Sequence, residues 1–296
     1  MCRMLIAVVT GLSCVGWAAV VAQTIDVGRG DIQLRVPSNS GPDAEMALVV
    51  LLHGYSHTGR FRESEWRFGD LVDQYGFVLA YPDGTRESGG DKNQFWNASD
   101  TCCNFFGSDV DDSTYIVSIV QGLTEKYNID RKRIYLIGHS NGGFMSYRAA
   151  YDHSETFAAI VSVAGAATIT DGPALPHPVH VLQIHGTIDS VIAYEGGDIR
   201  DNTNGKTEGR PYPGAVETVE RWAIYNGCAV EGRSGRDRDL DKKIAGAETT
   251  GTQYIKDCRN GGSSELWTIA GGSHSPDISE TFSQQIVEWL LDHPKP

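Results

Sequence analysis

The stretch Ile134-Tyr-Leu-Ile-Gly-His-Ser-Asn-Gly-Gly-Phe144 constrains this chain more than any other. An apolar run of strand type leads into Gly138-His-Ser-Asn-Gly142, and helix-forming residues 144–151 follow. Strand, tight turn and helix form the context that turns a G-x-S-x-G match into a nucleophile elbow, in which a sharp turn lifts the serine above a sheet. Gly138 and Gly142 supply the small side chains that let strand and helix approach. The competing reading is an ordinary strand-to-helix turn with a solvated serine. The flanking pattern favours Ser140 as a nucleophile.

Its partners are then sought in the chain order Ser, Asp or Glu, His. His180-Val-Leu-Gln-Ile-His-Gly-Thr-Ile-Asp189 is an apolar strand that ends in a glycine-containing loop. That places Asp189 just past the strand's carboxyl end, where open α/β sheets assemble their sites. Asp198 and Asp201 are alternatives in a polar stretch without a preceding strand. Turn chemistry is the plainer use of any of them. The short apolar run 265–270 is followed by Gly271-Gly-Ser-His274. Of nine histidines, His274 and His293 lie beyond the last predicted strand, and His293 belongs to the C-terminal tail. His274 is therefore the expected general base for Ser140, with Asp189 fixing its tautomer. The buried-looking strand Ala47-Leu-Val-Val-Leu-Leu-His-Gly-Tyr55 supplies the last part. The Tyr55 N–H from the loop after it and the Asn141 N–H beside the nucleophile are the expected oxyanion donors.

The 296 residues suffice for one α/β-hydrolase domain with a full core. Residues 5–22 are apolar and rich in small side chains, behind a short leader with one Arg. This reads as a secretory signal, 1–22, cleaved before Gln23, with an uncleaved anchor as the alternative. The catalytic domain is then 23–296, and the destination is extracellular or periplasmic. The formal net charge of −13 becomes one unit more negative without the leader. Such acidity argues against nucleic-acid and anionic-membrane partners and favours neutral substrates.

Six cysteines are present, of which Cys2 and Cys14 lie in the leader. Cys102, Cys103, Cys228 and Cys258 remain, an even count that suggests two disulfides in an exported protein. Cys228 with Cys258 is the favoured pair, which leaves a vicinal Cys102–Cys103 bridge; cross-pairing is the alternative. The spacing does not match a structural zinc site. Asp109, Asp111 and Asp112 form an acidic cluster that could cap a helix or hold calcium, and capping is the expected use. Asn97-Ala98-Ser99 is a glycosylation sequon.

Along the chain, strands are predicted at 31–36, 47–53, 77–81, 133–138, 158–164, 178–185 and 265–270. Helices are predicted at 63–75, 112–127, 215–225 and 278–291, besides the one after Ser140. Alternation with near-continuous apolar strands predicts a mainly parallel sheet covered on both faces. Residues 83–107 and 196–214 read as loops, where pockets of such folds are built. Trp96, Tyr55 and Trp267 are candidates for lining the pocket, with ordinary core or rim packing as the alternative, and His139 is expected to line the site and contact substrate.

Taken together, Leu51-Leu-His-Gly-Tyr55, Tyr81-Pro-Asp-Gly84, Phe95-Trp-Asn97, Cys102-Cys103, Val110-Asp-Asp112, Gly138-His-Ser-Asn-Gly-Gly143, Leu182-Gln-Ile-His-Gly186 with Asp189, Asn226-Gly-Cys228 and Gly271-Gly-Ser-His274 resemble a known group. They are similar to secreted esterases of the polyhydroxybutyrate-depolymerase and feruloyl-esterase type, related to the family 1 carbohydrate esterases. The resemblance implies an α/β-hydrolase fold, an acyl-serine intermediate without a cofactor or metal, Ser140, Asp189 and His274 as triad, and Tyr55 and Asn141 at the oxyanion hole. Secreted polyester depolymerases commonly append a linker and a binding domain. Neither is visible here, which favours feruloyl or acetyl esters of plant polysaccharides over solid polyester. Polyester hydrolysis is the alternative. A serine peptidase would be expected to carry a large gating domain. A non-catalytic binding protein would be expected to have lost a triad member, and none is missing.

Overall fold

Near-continuous apolar strands need cover on both faces, and the fold supplies it. A computed structural model of the chain describes residues 23–38, 41, 43–167, 176–199 and 209–296. The expected leader and Asp201 lie outside the described residues.

The main sheet has ten strands: β1 (Gln23–Asp26), β2 (Asp31–Arg35), β3 (Met46–Leu52), β4 (Phe77–Tyr81), β5 (Ile129–His139), β6 (Ala159–Val163), β7 (His180–Gly186), β8 (Arg233–Ser234), β9 (Thr249–Tyr254) and β10 (Ser263–Ile269). Their spatial order is β1-β2-β4-β3-β5-β6-β7-β10-β9-β8. The run β4-β3-β5-β6-β7-β10 is parallel, and antiparallel pairs close both ends. The helices are α1 (Gly59–Trp66), α2 (Asp112–Lys126), α3 (Asn141–Asp152), α4 (Ala215–Tyr225) and α5 (Phe282–Leu291).

Strand β3 shows how the layers form. Leu48, Val50 and Leu52 join a core with Ile116, Ile119 and Leu123 of α2 and Phe144 and Met145 of α3. Ala47, Val49 and Leu51, pointing the other way, join Trp66, Phe282, Ile286 and Leu290 from α1 and α5. Fully burying a large aliphatic side chain stabilises by about 1.5–3 kcal/mol. A strand covered on both faces gains at every position, which is why the parallel strands read as unbroken apolar runs.

The predicted strand at 77–81 and helix at 215–225 coincide with β4 and α4. Asp111 caps α2, accepting a hydrogen bond from the Thr114 N–H at 2.9 Å. The predicted helix at 63–75 is broken instead. Arg67 sits in the left-handed region at φ 55°, and a 3-10 turn (Phe68–Leu71) and a single helical turn (Val72–Tyr75) follow. The Glu63 carboxylate accepts the Gly69 N–H, and the kink lets both Trp66 and Phe68 enter one core. The closing helix starts at Phe282 and not at 278, because Ile278 pairs with Asp241 in an extended bridge.

Several features were not predicted, among them β1, β8 and a short pairing of Thr85–Arg86 with Gln94–Phe95. Strand β9, Thr-Thr-Gly-Thr-Gln-Tyr, carries no apolar run, because it lies near the antiparallel edge and is only partly buried. Within the stretch read as loop, Gly196–Ile199 pairs with Arg210–Pro213. The disulfides are Cys102–Cys103 and Cys228–Cys258. No helix among the described residues is long and apolar enough to cross a membrane.

Candidate active site

Strands β5, β7 and β10 run parallel, so the loops after their carboxyl ends meet on one edge of the sheet. Ser140 follows β5 at φ 52° and ψ −119°, a conformation that non-glycine residues rarely adopt. Two contacts hold it there: its N–H donates to the Val163 carbonyl at 2.8 Å, and its own carbonyl accepts the Phe144 N–H at 3.0 Å. The turn is closed by backbone against backbone. A Cβ on Gly138 would collide with the Gly142 carbonyl, and one on Gly142 would lie 2.5 Å from the Leu52 oxygen. Gly138→Ala is therefore expected to destabilise the protein by about 3 kcal/mol, the upper range for overpacking, and to lower the melting temperature measurably in thermal unfolding. A variant with unchanged melting temperature would contradict this steric reading.

The loops that carry Asp189 and His274 are joined in the same way. Gly186 and Gly272 pack main chain on main chain, the Thr187 N–H donates to Ile269 and the Ile188 N–H donates to Gly272, each at 3.0 Å. This brings His274 between Ser140 and Asp189. His274 Nε2 is 3.0 Å from Ser140 Oγ, and His274 Nδ1 is 2.8 Å from Asp189 Oδ2. The fully buried Asp189 carboxylate also accepts the Val191 and Ile192 N–H groups on Oδ1, at 2.8 and 2.9 Å. Burial alone would push this carboxyl up. Hydrogen bonds from His185 and His274, with the positive field of His274, outweigh burial and hold it well below the usual carboxylate range.

Behind Asp189 runs a buried polar row that sequence reasoning missed. The Tyr147 hydroxyl donates to Gln183 Oε1 at 2.8 Å, and the Gln183 amide donates to the Gly165 carbonyl at 2.8 Å and to His185 Nδ1 at 3.0 Å. That leaves His185 Nε2–H to donate to the Ile192 carbonyl at 2.8 Å, with Asp189 Oδ2 at 3.3 Å. A signal was present: Gln183 and His185 are two polar residues at period-two spacing in a buried strand, and buried polar groups need partners.

Asn141 opens α3, so its N–H belongs to the first turn, whose donors lack partners within the helix. Its side chain clamps the Trp96 main chain, accepting from the N–H at 2.7 Å and donating to the carbonyl at 2.9 Å, and lies 3.6 Å from Cys102 Sγ. The Gly54–Tyr55 main chain runs beside the elbow: a Cβ on Gly54 would sit 3.4 Å from Ser140 Cβ. His53 shapes this loop, accepting the Gly84 N–H at 2.8 Å while its other ring nitrogen lies 2.7 Å from the Gly54 carbonyl. Burial pushes the His53 imidazole down to about 4. The Tyr55 hydroxyl donates to Glu87 at 2.7 Å.

Three expected substrate contacts are corrected. Trp96 is fully buried, with its indole N–H given to the His53 carbonyl at 3.0 Å. It is occupied in holding the main chain at His53 and the Asn141 side chain. Trp267 is buried within β10, donates to Glu265 and is stacked under Arg238, 3.7 Å from the ring centroid. His139 is buried beneath the His274 loop. Aromatic residues near a motif were read as pocket lining, but the core claimed them. The rejected alternatives lie elsewhere: Asp198 is exposed in the Gly196–Ile199 strand, and His293 stacks on Trp289 at 4.1 Å. In the acidic cluster Asp112 is paired with Arg29 and accepts the Asn97 N–H, while Asp111 caps α2 and Asp109 is exposed. Among the described residues no group of three acidic, His or Cys side chains is arranged to hold a metal. The Asn97 amide of the sequon donates to the Val110 carbonyl at 2.8 Å and accepts from Asn104.

Residues 33–172 match the family model described as esterase PHB depolymerase. A feruloyl esterase B of Piromyces equi is 28% identical over 250 residues, covering 82% of this chain and 42% of that protein. A bifunctional acetylxylan esterase/xylanase of Neocallimastix patriciarum is 30% identical over 165 residues, covering 56% of this chain and 22% of that one. The chain thus spans less than half the length of either relative. An acetyl xylan esterase from Aspergillus awamori has the same fold, with a TM-score of 0.62 at 18% identity over 91% of this chain and 98% of that one. The chain thus has the α/β-hydrolase fold and is similar, over the matched residues, to esterases of the polyhydroxybutyrate-depolymerase and feruloyl-esterase type.

Proposed function

We propose that the chain is a secreted carboxylic ester hydrolase that works through an acyl-serine intermediate. The observation that carries this reading is the row Ser140 Oγ–His274 Nε2, His274 Nδ1–Asp189 Oδ2, at 3.0 and 2.8 Å, mounted on a strained elbow. Ser140 Oγ attacks the ester carbonyl while its proton passes to His274 Nε2. The N–H groups of Asn141 and Tyr55 receive the oxyanion; removing one such donor costs about 3–4 kcal/mol elsewhere. The tetrahedral adduct collapses, and the leaving alkoxide takes the proton from His274. Water then repeats the sequence, its proton moving to His274 and on to Ser140 as the acid departs. Asp189 stays ionised and stabilises the imidazolium. The sequence of steps uses side chains, main-chain N–H groups and water.

The names of the relatives support feruloyl or acetyl esters of plant polysaccharides as substrates. Residues 23–296 act as one catalytic domain, supported by the single sheet that runs from Gln23 to Ile269. Two disulfides support export, with 1–22 as the signal. A second reading, polyester hydrolysis, is favoured by one observation. Ile188 and Val191, either side of Asp189, are 65% and 60% exposed, an apolar rim suited to an apolar polymer surface.

Initial rates on methyl ferulate, a short nitrophenyl ester, acetylated xylan and a polyhydroxybutyrate suspension separate the two readings. The expected result is preference for methyl ferulate or acetylated xylan, with the double variant Ile188→Ser/Val191→Ser within roughly twofold of the parent on soluble esters, as for surface changes. Clearing of the suspension, poor ferulate turnover and loss of clearing in the double variant would put polyester first.

A further inference from the structure

The general base sits on a thinly supported loop. Behind residues 275–278 lies a cavity of about 250 Å³, lined by Trp66, Lys242, Ser275, Pro276 and Ile278, and by Arg62 and His139. Packing therefore does not by itself fix the height of His274 above the sheet. Among the described residues, the hydrogen bond of the His274 main chain is the one its carbonyl accepts from His139 Nε2, at 3.0 Å.

His139 can make that bond in only one of its neutral forms, the Nε2–H tautomer. Arg62 selects it. The guanidinium offers donors only, and its Nη2 lies 2.9 Å from His139 Nδ1, which must then accept. Arg62 is itself fixed: it is 2% exposed, its Nη1 pairs with Glu65 at 2.9 Å, and it lies 4.7 Å from the Trp66 ring centroid, whose edge contact with His139 is 5.6 Å. A donor on Nδ1 also bars a proton from that nitrogen. Burial and the Arg62 charge, in that order, hold His139 well below the ordinary histidine range, so it stays neutral.

We propose that Arg62 and His139 are a positioning pair for the general base: Arg62 sets the His139 tautomer, and His139 holds the His274 main chain so that its imidazole meets both Ser140 and Asp189. This rests on His274 being the base, as proposed above. Neither residue touches the reacting atoms, and their effect is on turnover rather than on substrate binding. Misplacement of a catalytic group by about 1 Å can lower rate by roughly 10²-fold.

Steady-state kinetics on a soluble nitrophenyl ester test this, with melting temperatures measured alongside. His139→Leu is expected to lower kcat by roughly 10- to 100-fold with KM within about twofold. Arg62→Leu is expected to do the same, and the double variant to be no worse than either single one, because the two act as a unit. His139→Gln is expected to recover kcat to within roughly threefold of the parent, since one amide can accept from Arg62 and donate to His274. Where His139→Leu does not fold, His139→Asn, too short to span both partners, carries the same expectation. Equal kcat in the Leu, Asn and Gln variants, whether at the parent value or reduced with melting temperature, would overturn the proposal. Failure of the esterase reading looks different: the parent enzyme would lack turnover, or Ser140→Ala would retain it.

Discussion

Replacing Ser140 by Ala is expected to lower kcat/KM on a soluble aryl ester by roughly 10⁴- to 10⁶-fold and to leave the fold intact, in line with removal of a triad nucleophile elsewhere. The fold survives because the exchange removes only Oγ. The main chain keeps its bonds to Val163 and Phe144, and alanine at φ 52° is strained no more than serine. The residual rate comes from the oxyanion donors and from substrate binding. The check is steady-state kinetics paired with circular dichroism. A folded variant that keeps more than a hundredth of parental turnover would remove Ser140 from the mechanism.

Asp189→Asn is expected to have the next largest effect, a loss of roughly 10⁴-fold in kcat at neutral pH. The reason is specific to the cradle. Oδ1 accepts two main-chain N–H groups, from Val191 and Ile192, so an amide nitrogen cannot occupy that place without setting donor against donor. The Asn oxygen takes the Oδ1 position and the NH₂ turns to His274 Nδ1. That nitrogen must then accept, the proton moves to Nε2, and Nε2 can no longer take the Ser140 proton. Asp198→Asn, in the exposed strand, stays within twofold of the parent, as surface changes usually do. The opposite pattern of losses would reassign the acid.

The same carboxylate links stability to pH. Its folded value is depressed below the unfolded one, so ionised Asp189 contributes stability above the ordinary carboxylate range. That contribution is lost as pH falls through the unfolded value towards the folded one. The contribution is absent from Asp189→Asn, so denaturant midpoints of parent and variant converge with acidification.

The residues brought together at the elbow were legible because each follows an apolar strand in the chain order that the fold requires. Ser140 follows β5, Asp189 follows β7 and His274 follows β10, and a parallel sheet delivers all three to one edge. The supporting residues were not legible for a different reason. An arginine in Arg-Phe-Arg-Glu-Ser-Glu reads as solvated surface, and nothing local says that Arg62 turns inward while Arg60 remains exposed. Tyr147 looks like helix filler until Gln183 is seen across from it. Trp96 and Trp267 failed as pocket residues because composition near a motif gives no sign of burial. The strand β9 was missed because it carries no apolar run: it pairs along its length with β10 and adds Tyr254 as its one buried aromatic.

A serine nucleophile reveals itself most directly by where an ester-like reagent becomes covalently attached. Treating the protein with a fluorophosphonate ester and mapping the adduct by peptide mass spectrometry reads this in one step. The expected result is a single adduct on Ser140, esterase activity lost in proportion to labelling, and labelling slowed in Asp189→Asn. Attachment to another residue, or complete labelling of Ser140 with activity retained, would contradict the proposed mechanism.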